Sequence, residues 1–239
     1  MRHLPNFITS LNLAAGFTAI IFILNGEVAT ASWLILAAMV FDFLDGFASR
    51  ILNAYSDVGK ELDSLADLVS FGVAPGIIIY HFLKSSLGPE VTSASSISGI
   101  ESFFAFLVPC IMPVCAGLRL AKFNLDKTQT IIFKGLPTPA NALAVIAIAL
   151  AGEYGDASII KSFLSMPVAL ALFSLILSLL MVTRIPLLSL KFPHLKFRGN
   201  EGRYILIALS TVVVLIFGFT GVTLIIPLYI VVSLISLLR

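Results

Sequence analysis

Four regularly spaced aspartates lie in two otherwise apolar segments within the first third of the chain. Asp42 and Asp45 are three residues apart, and Asp63 and Asp67 are four residues apart. Residues three or four positions apart share one face of an α-helix, so each pair presents two carboxylates in the same direction. A carboxylate at the centre of a membrane helix costs about 2.5–3.5 kcal/mol on insertion scales, so four of them indicate a functional site.

The chemistry that this pattern favours is binding of divalent cations. Oxygen-only ligands suit magnesium, manganese or calcium, and the scattered histidines and cysteines form no competing ligand set. Two such ions bridged by shared carboxylates are a common arrangement for displacement at phosphorus. Two alternatives remain open: a single aspartate can serve as a hydrogen-bond partner between helices, and a series of carboxylates can form the path of a cation transporter. A transporter would spread its acids through the membrane depth, whereas these acids flank one short turn.

Small and basic residues beside the aspartates suggest a phosphate ligand. Gly46 follows the first pair and leaves the backbone bare, so a bulky ligand can approach. Gly59 precedes the third helix, where Asp57 and Ser56 are candidate N-caps and the free N–H groups suit an anion. Arg50 lies close to the membrane interface, five residues after Asp45, and could bind a phosphate. Close helix packing remains the alternative role for either glycine, and charge anchoring the alternative for Arg50.

The composition requires these residues to be positioned by membrane helices. The chain has 239 residues, of which 59% are hydrophobic and 12% charged, and its mean hydropathy is +1.05. Soluble domains carry about 25% charged residues, so this composition excludes a soluble globule, and it also excludes a disordered chain. A net charge of +2 gives no support to a nucleic-acid partner. Cys110 and Cys115 share one apolar run and imply neither a disulfide framework nor a zinc site.

Eight continuous apolar stretches are near the length of about 20 residues that a bilayer-spanning helix needs. They predict an all-α, polytopic membrane helix bundle in which residues 1–239 form a single integral membrane domain. The fifth and seventh stretches are the shortest. The predicted spans are 6–25, 29–50, 61–83, 102–121, 137–152, 163–183, 204–219 and 221–238.

The basic residues predict the orientation. With eight spans, 13 of the 15 lysines and arginines fall on one side of the membrane, and only Lys84 and Lys161 fall on the other. Positive residues favour the cytoplasm, so both termini and the turn between the aspartate pairs are predicted to be cytoplasmic. The serine-rich loop 84–101 is predicted to be outside and flexible. The basic, apolar segment 184–203 is predicted to lie at the inner membrane interface.

Written out, the acidic region resembles the signature of the CDP-alcohol phosphotransferase family, D-x2-D-G-x2-A-R-x8-G-x3-D-x3-D. Seven of its eight fixed positions match, and the departure is Ser49, where the family has another small residue, alanine. The matching residues are Asp42, Asp45, Gly46, Arg50, Gly59, Asp63 and Asp67.

Four further stretches resemble one branch of that family, the membrane-embedded phosphatidylserine synthases. They are residues 5–9 with 12–13, 61–67 running into 71–75, 117–124, and 135–139. These catalytic motifs together span residues 5–139. The remaining helices, within 140–239, carry no recognisable motif.

The resemblance implies roles for the matching residues. Asp42, Asp45, Asp63 and Asp67 would hold two divalent cations, Mg²⁺ or Mn²⁺, that bind the pyrophosphate of CDP, and Asp67 would also be the general base. Contacts to CDP and its phosphates would come from Thr9, Gly46, Arg50 and Gly59. The family fold implies a core of six transmembrane helices, often dimeric. Eight spans would then mean about two additional helices at the C-terminal end.

The implied reaction transfers the phosphatidyl group of CDP-diacylglycerol to the hydroxyl of L-serine, giving phosphatidylserine and CMP. Serine carries a carboxylate, and Arg119 and Lys122 are candidate cations for it because they share a helix face near the aspartates. Charge anchoring is the alternative for both. Other acceptors, such as glycerol 3-phosphate or inositol phosphate, and an ether-lipid donor also remain alternatives.

Overall fold

Apolar helices make up most of the molecule in the computed structural model, which describes residues 3–88, 100–125, 132–155, 158–188 and 200–237. A π-helix, Leu68–Val73, continues α3 directly into α4. Two strands, β1 (Ile132–Lys134) and β2 (Pro186–Leu188), accompany the helices. The helices are α1 Leu4–Leu24, α2 Val28–Ile51, α3 Asp57–Asp67, α4 Ala74–Leu87, α5 Ile100–Leu125, α6 Thr138–Tyr154, α7 Ser158–Leu164, α8 Pro167–Val182, α9 Glu201–Phe217, α10 Phe219–Val222 and α11 Ile225–Leu237.

Five helical segments are long and apolar enough to cross a membrane, and α7 and α8 give a sixth if they count as one span bent by 86°. The chain is therefore an integral, multi-pass membrane protein. The five segments are Leu4–Leu24, Val28–Ile51, Asp57–Leu87, Phe104–Leu125 and Phe219–Ser236.

The structure thus supports five or six spans where the sequence predicts eight. The predicted fifth span corresponds to α6 and the predicted seventh to α9, and each of these helices has 17 residues. At about 1.5 Å per residue they reach roughly 25 Å, short of the roughly 30 Å hydrocarbon core. The expected six-helix core with two added spans is not confirmed.

The core lies where α1, α2, the π-helix, α4, α5 and α6 meet. Phe71 of the π-helix, Ile78 of α4, Met112 of α5 and Ile146 of α6 have no exposed surface. Helices approach closely where a side chain is missing: a Cβ added to Gly16 of α1 would clash with the side chain and Cα of Ser70. Since Ser70 lies only three residues after Asp67, this contact sets how α1 lies against the acidic region.

A short antiparallel ladder between β1 and β2 is a feature that the sequence analysis did not predict. Ile132 pairs with Leu188, and Lys134 pairs with Pro186. The ladder ties the segment before α6 to the segment after α8. It also falls partly inside the predicted interfacial segment 184–203, of which residues 189–199 lie outside the described part. Likewise, α4 continues to Leu87 into the predicted outer loop, and 89–99 are outside the described residues.

Candidate active site

Three of the four predicted carboxylates come together at one point. Asp42 of α2, Asp63 of α3 and Asp67 of α3 each offer an oxygen, and these oxygens lie within 4.8 Å of one another. The chain reverses between α2 and α3 in a short turn in which Asn53 has a φ of 47°, in the left-handed region that asparagine tolerates. Because α1 packs against both α2 and α3, it holds the two acidic helices side by side.

Asp45 is buried beside this cluster but is not one of the three residues whose oxygens converge. It interacts electrostatically with Asp42, Asp63 and Asp67. Two buried carboxylate oxygens, Oδ2 of Asp45 and Oδ1 of Asp63, have no hydrogen-bond partner among the residues that the structure describes. Buried acceptors that lack a donor and repel one another are stabilised by a cation. The residues present therefore fit a divalent metal site.

Helix α1 lines the acidic cluster with two polar residues. The amide nitrogen of Asn12, which is fully buried, donates to Oδ1 of Asp67 at 3.3 Å. The Thr9 hydroxyl is within hydrogen-bonding reach of Asp45, and it also donates to the carbonyl of Pro5 at 3.0 Å. Thr9 was a predicted site residue. Asn12 was not, although it lies in the stretch 12–13 that carries the family resemblance.

Gly46 and Arg50 lie together on the last turns of α2. A Cβ at Gly46 would meet only the Arg50 side chain, at 3.9 Å, so nothing in the described structure requires a glycine here. The Arg50 guanidinium is exposed and donates from Nε to the Gly46 carbonyl at 2.9 Å. The bare backbone and the exposed cation are therefore both available to a ligand beside the acidic cluster.

Gly59, in contrast, has side-chain atoms of α1 and of the N-cap of α3 close to its Cα. A Cβ there would lie 2.7 Å from Oδ1 of Asn6 in α1 and 2.9 Å from Oγ of Ser56. Ser56 is the N-cap of α3, as predicted, and its hydroxyl accepts from the Gly59 N–H at 3.0 Å. Of the two roles considered for this glycine, close helix packing is the one that the geometry supports.

The two candidate acceptor-binding cations differ in their surroundings. Arg119 is only 8% exposed and interacts electrostatically with Asp67, and its Nε has no hydrogen-bond partner within the described part of the chain. Lys122, one turn later, is exposed. Tyr229 of α11 also interacts with Arg119, and its hydroxyl donates to the Leu188 carbonyl at 3.0 Å. Tyr229 could not be predicted as a site residue, because α11 carries no motif.

The π-helix begins directly after Asp67. Such i→i+5 segments recur at functional sites. Polar side chains of neighbouring helices support this one: Asn141 of α6 donates to the carbonyl of Phe71 at 3.2 Å, and Ser70 donates to the carbonyl of Asn12 at 3.0 Å. The orientation of Asp67 thus depends on contacts to both α1 and α6.

Comparison with known proteins identifies the family of the chain. A family model described as CDP-alcohol phosphatidyltransferase matches residues 2–183. The chain is 35% identical over 201 residues to a CDP-diacylglycerol–serine O-phosphatidyltransferase of Bacillus subtilis, with 84% of this chain and 96% of that protein covered.

Two further relatives carry the same name. The Helicobacter pylori protein is 28% identical over 233 residues, which covers 95% of this chain and 87% of that protein. The Mycobacterium leprae protein is 38% identical over 163 residues, which covers 65% of this chain and 49% of that protein. The matched region is thus about half of the mycobacterial relative but nearly all of the Bacillus one.

Proposed function

The chain belongs to the CDP-alcohol phosphatidyltransferase family, and we propose that it transfers the phosphatidyl group of CDP-diacylglycerol to the hydroxyl of L-serine, releasing CMP. The product is phosphatidylserine. The observation that carries the proposal is the convergence of Asp42, Asp63 and Asp67 in a chain that aligns with 96% of a relative of that name.

Asp42, Asp45, Asp63 and Asp67 would hold two divalent cations, Mg²⁺ or Mn²⁺, because carboxylates are the hard oxygen ligands that these ions prefer. When bound, the cations would neutralise the pyrophosphate and improve CMP as a leaving group. The two unpartnered oxygens of Asp45 and Asp63 support this assignment.

The nucleotide end of the donor would lie along α2 and the start of α3. Gly46 would let it approach the backbone, and the exposed Arg50 would exchange its bond to the Gly46 carbonyl for a phosphate oxygen. Thr9 and Gly59 border the same region. Gly59 would contribute chiefly by letting α1 pack closely against α3.

In the reaction, the serine hydroxyl oxygen forms a bond to the lipid-bearing phosphorus while the bond from that phosphorus to the CMP oxygen breaks. The hydroxyl proton passes to the carboxylate of Asp67, the proposed general base. Asn12 donates to Oδ1 of Asp67 and so limits rotation of that carboxylate. Asp67 is thereby held ready to accept the proton.

Arg119 would bind the carboxylate of the serine substrate. Its guanidinium is buried and interacts with Asp67, the proposed base. Its Nε has no partner among the described residues and is therefore available to donate a hydrogen bond to a ligand. A planar guanidinium suits bidentate binding of a carboxylate. Lys122, being exposed, would act at longer range as a second cation.

In the membrane, residues 1–239 would form one integral domain, with both termini and the turn between α2 and α3 in the cytoplasm. The distribution of lysine and arginine supports this orientation. A homodimer, and a six-helix core with additional C-terminal spans, are expected from the family resemblance. CDP and serine would enter from the cytoplasm, and the acyl chains would enter laterally from the bilayer.

The test is CMP release by the purified protein from CDP-diacylglycerol, with and without L-serine, in the presence of Mg²⁺ or Mn²⁺. We expect release that depends on serine, with phosphatidylserine as the lipid product. Parallel reactions contain glycerol 3-phosphate or inositol phosphate, and one series uses an ether-lipid donor. Release that depends on one of those acceptors instead of serine would contradict the proposed acceptor while preserving the family reaction.

A further inference from the structure

Polar contacts join the start of α3 to the end of α5. The ammonium of Lys60 donates to the main-chain carbonyl of Asn124 at 2.9 Å, and the amide nitrogen of Asn124 donates to Oγ of Ser64 at 2.8 Å. The Ser64 hydroxyl donates in turn to the Lys60 carbonyl at 3.2 Å. We call these three residues the α3–α5 clamp.

The chemistry of the three clamp residues determines which of their groups donate hydrogen bonds and which accept them. The last carbonyls of an α-helix have no partner within the helix, and a lysine there also interacts favourably with the helix dipole. Ser64 has a single hydroxyl proton, which it gives to the Lys60 carbonyl, so it can only accept from Asn124. Lys60 and Asn124 therefore each donate across the gap between the helices.

The clamp contacts α5 near its C-terminal end. Pro109 and Pro113 interrupt the hydrogen bonds of α5 itself. Close packing fixes the middle of α5, because a Cβ at Gly72 would lie 2.8 Å from the Cβ of Ala116. Arg119 follows three residues after Ala116 and precedes Asn124 by five. It thus lies between the last such contact and the clamp.

We propose that the α3–α5 clamp positions Arg119 relative to Asp67 and so sets the affinity for the acceptor. This inference rests on the proposed role of Arg119 in binding serine. Ser64 adjoins the proposed metal ligand Asp63, so the clamp ties the end of α5 to the same turn of α3 that carries the acidic cluster. Lys60, Ser64 and Asn124 are positioning residues, since they act through Arg119 and not on the reacting atoms.

The test compares Ser64→Ala and Asn124→Ala with a matched control, Ser85→Ala. The Ser85 hydroxyl also donates to the carbonyl four residues earlier, at 2.9 Å, but at the far end of α4. Loss of one such bond should raise the KM for serine roughly 3- to 10-fold in the two clamp variants. The KM for CDP-diacylglycerol and the serine KM of Ser85→Ala should not change.

Two further comparisons separate positioning from general stability. Lys60→Arg keeps a cationic donor and should retain the wild-type KM for serine, whereas Lys60→Met should raise it. The double variant Ser64→Ala/Asn124→Ala should resemble each single variant, since all three lack the same bond. Additive effects on serine KM would contradict the clamp.

The results that would reject the proposed function differ from the results that would reject the clamp alone. Absence of serine-dependent CMP release by the wild-type protein would overturn the proposed function and the clamp with it. Serine-dependent release with an unchanged serine KM in both Ser64→Ala and Asn124→Ala would overturn the clamp alone. A fall in thermal midpoint with an equal rise in both KM values would assign these residues a structural role and likewise reject the proposal.

Discussion

At the scale of single residues, burial is the largest unfavourable effect on the charged carboxylates of the acidic cluster, and their mutual repulsion adds to it. Asp42 interacts unfavourably with Asp63 and Asp45 in the absence of a cation. We expect Asp42→Asn to abolish CMP release, because the cluster loses a ligand. The same change should raise the thermal midpoint of the metal-free protein, because it removes one of the repelling charges. Added Mn²⁺ should stabilise the wild type more than the variant, since a ligand that binds the folded state raises its stability.

Asp57→Asn is the matched control for this experiment. Asp57 is exposed in the first turn of α3 and lies outside the three-residue cluster. Its substitution should leave CMP release and the response to Mn²⁺ close to wild type. Full activity of Asp42→Asn with Mg²⁺ or Mn²⁺ would reject the metal assignment.

Arginine and lysine side chains differ in hydrogen-bonding geometry. This difference gives a second test at the scale of single residues, at position 119. Arg119→Lys keeps the charge but loses the planar fork of donors. If Arg119 binds the serine carboxylate, the change should cost about 1–3 kcal/mol, a rise of roughly 5- to 150-fold in the KM for serine. The KM for CDP-diacylglycerol should stay the same. An unchanged KM for serine would remove Arg119 from the acceptor site.

The carboxylates could be predicted from sequence because their spacing alone places them on helix faces, and the structure brings Asp42, Asp63 and Asp67 together. The residues that reach the site from other helices could not be predicted. Asn12 is 55 residues from Asp67 in the chain, and Tyr229 lies in a helix without a motif, so only helix packing reveals what each one contacts. Local spacing carries no information about such distant pairs.

At the scale of helices, Gly16 and Gly46 can be compared directly, because the same change to alanine meets different surroundings at each. A Cβ at Gly16 would lie 2.8 Å from the Cα of Ser70, whereas a Cβ at Gly46 would have open space to 3.9 Å. Gly16→Ala should therefore force α1 away from the π-helix and lower stability by about 1–3 kcal/mol. Gly46→Ala should leave the thermal midpoint near wild type but raise the KM for CDP-diacylglycerol, because its methyl group would occupy the donor's approach.

Thermal unfolding in detergent and donor titrations measure the two effects separately. Equal thermal midpoints for Gly16→Ala and wild type would contradict the packing argument. An unchanged donor KM in Gly46→Ala would mean that the nucleotide does not approach the backbone there.

The π-helix marks the limit of sequence-based prediction for the elements. Hydrophobic stretches predicted a continuous third span, and Asp57–Leu87 is one span, but no pattern in residues 68–73 distinguishes a π-helix from an α-helix. Its carbonyls are supported by side chains from elsewhere, such as Asn141 of α6. The β1–β2 ladder was missed for the same reason, since its strands have three residues each and residues 135–185 separate them in the chain.

For the whole molecule, the described residues support five or six spans where hydropathy predicts eight, because two of the predicted spans are short helices. The predicted spans 137–152 and 204–219 correspond to α6 and α9, which have 17 residues each. Orientation rests on charge instead, and 13 of the 15 basic residues fall on one side in the predicted topology. That split applies to a topology of eight spans, because a short helix that does not cross would move the loops after it to the other side.

Cysteine labelling on intact cells tests the orientation, in a background where Cys110→Ser and Cys115→Ala remove the native thiols. Tyr55 lies in the turn between α2 and α3 and is 71% exposed, and Ser85 is exposed near the opposite end of the same span. A membrane-impermeant maleimide should label Ser85→Cys directly and Tyr55→Cys only after permeabilisation. The reverse pattern would place the acidic cluster at the outer face, where cytoplasmic CDP-lipid and serine could not reach it.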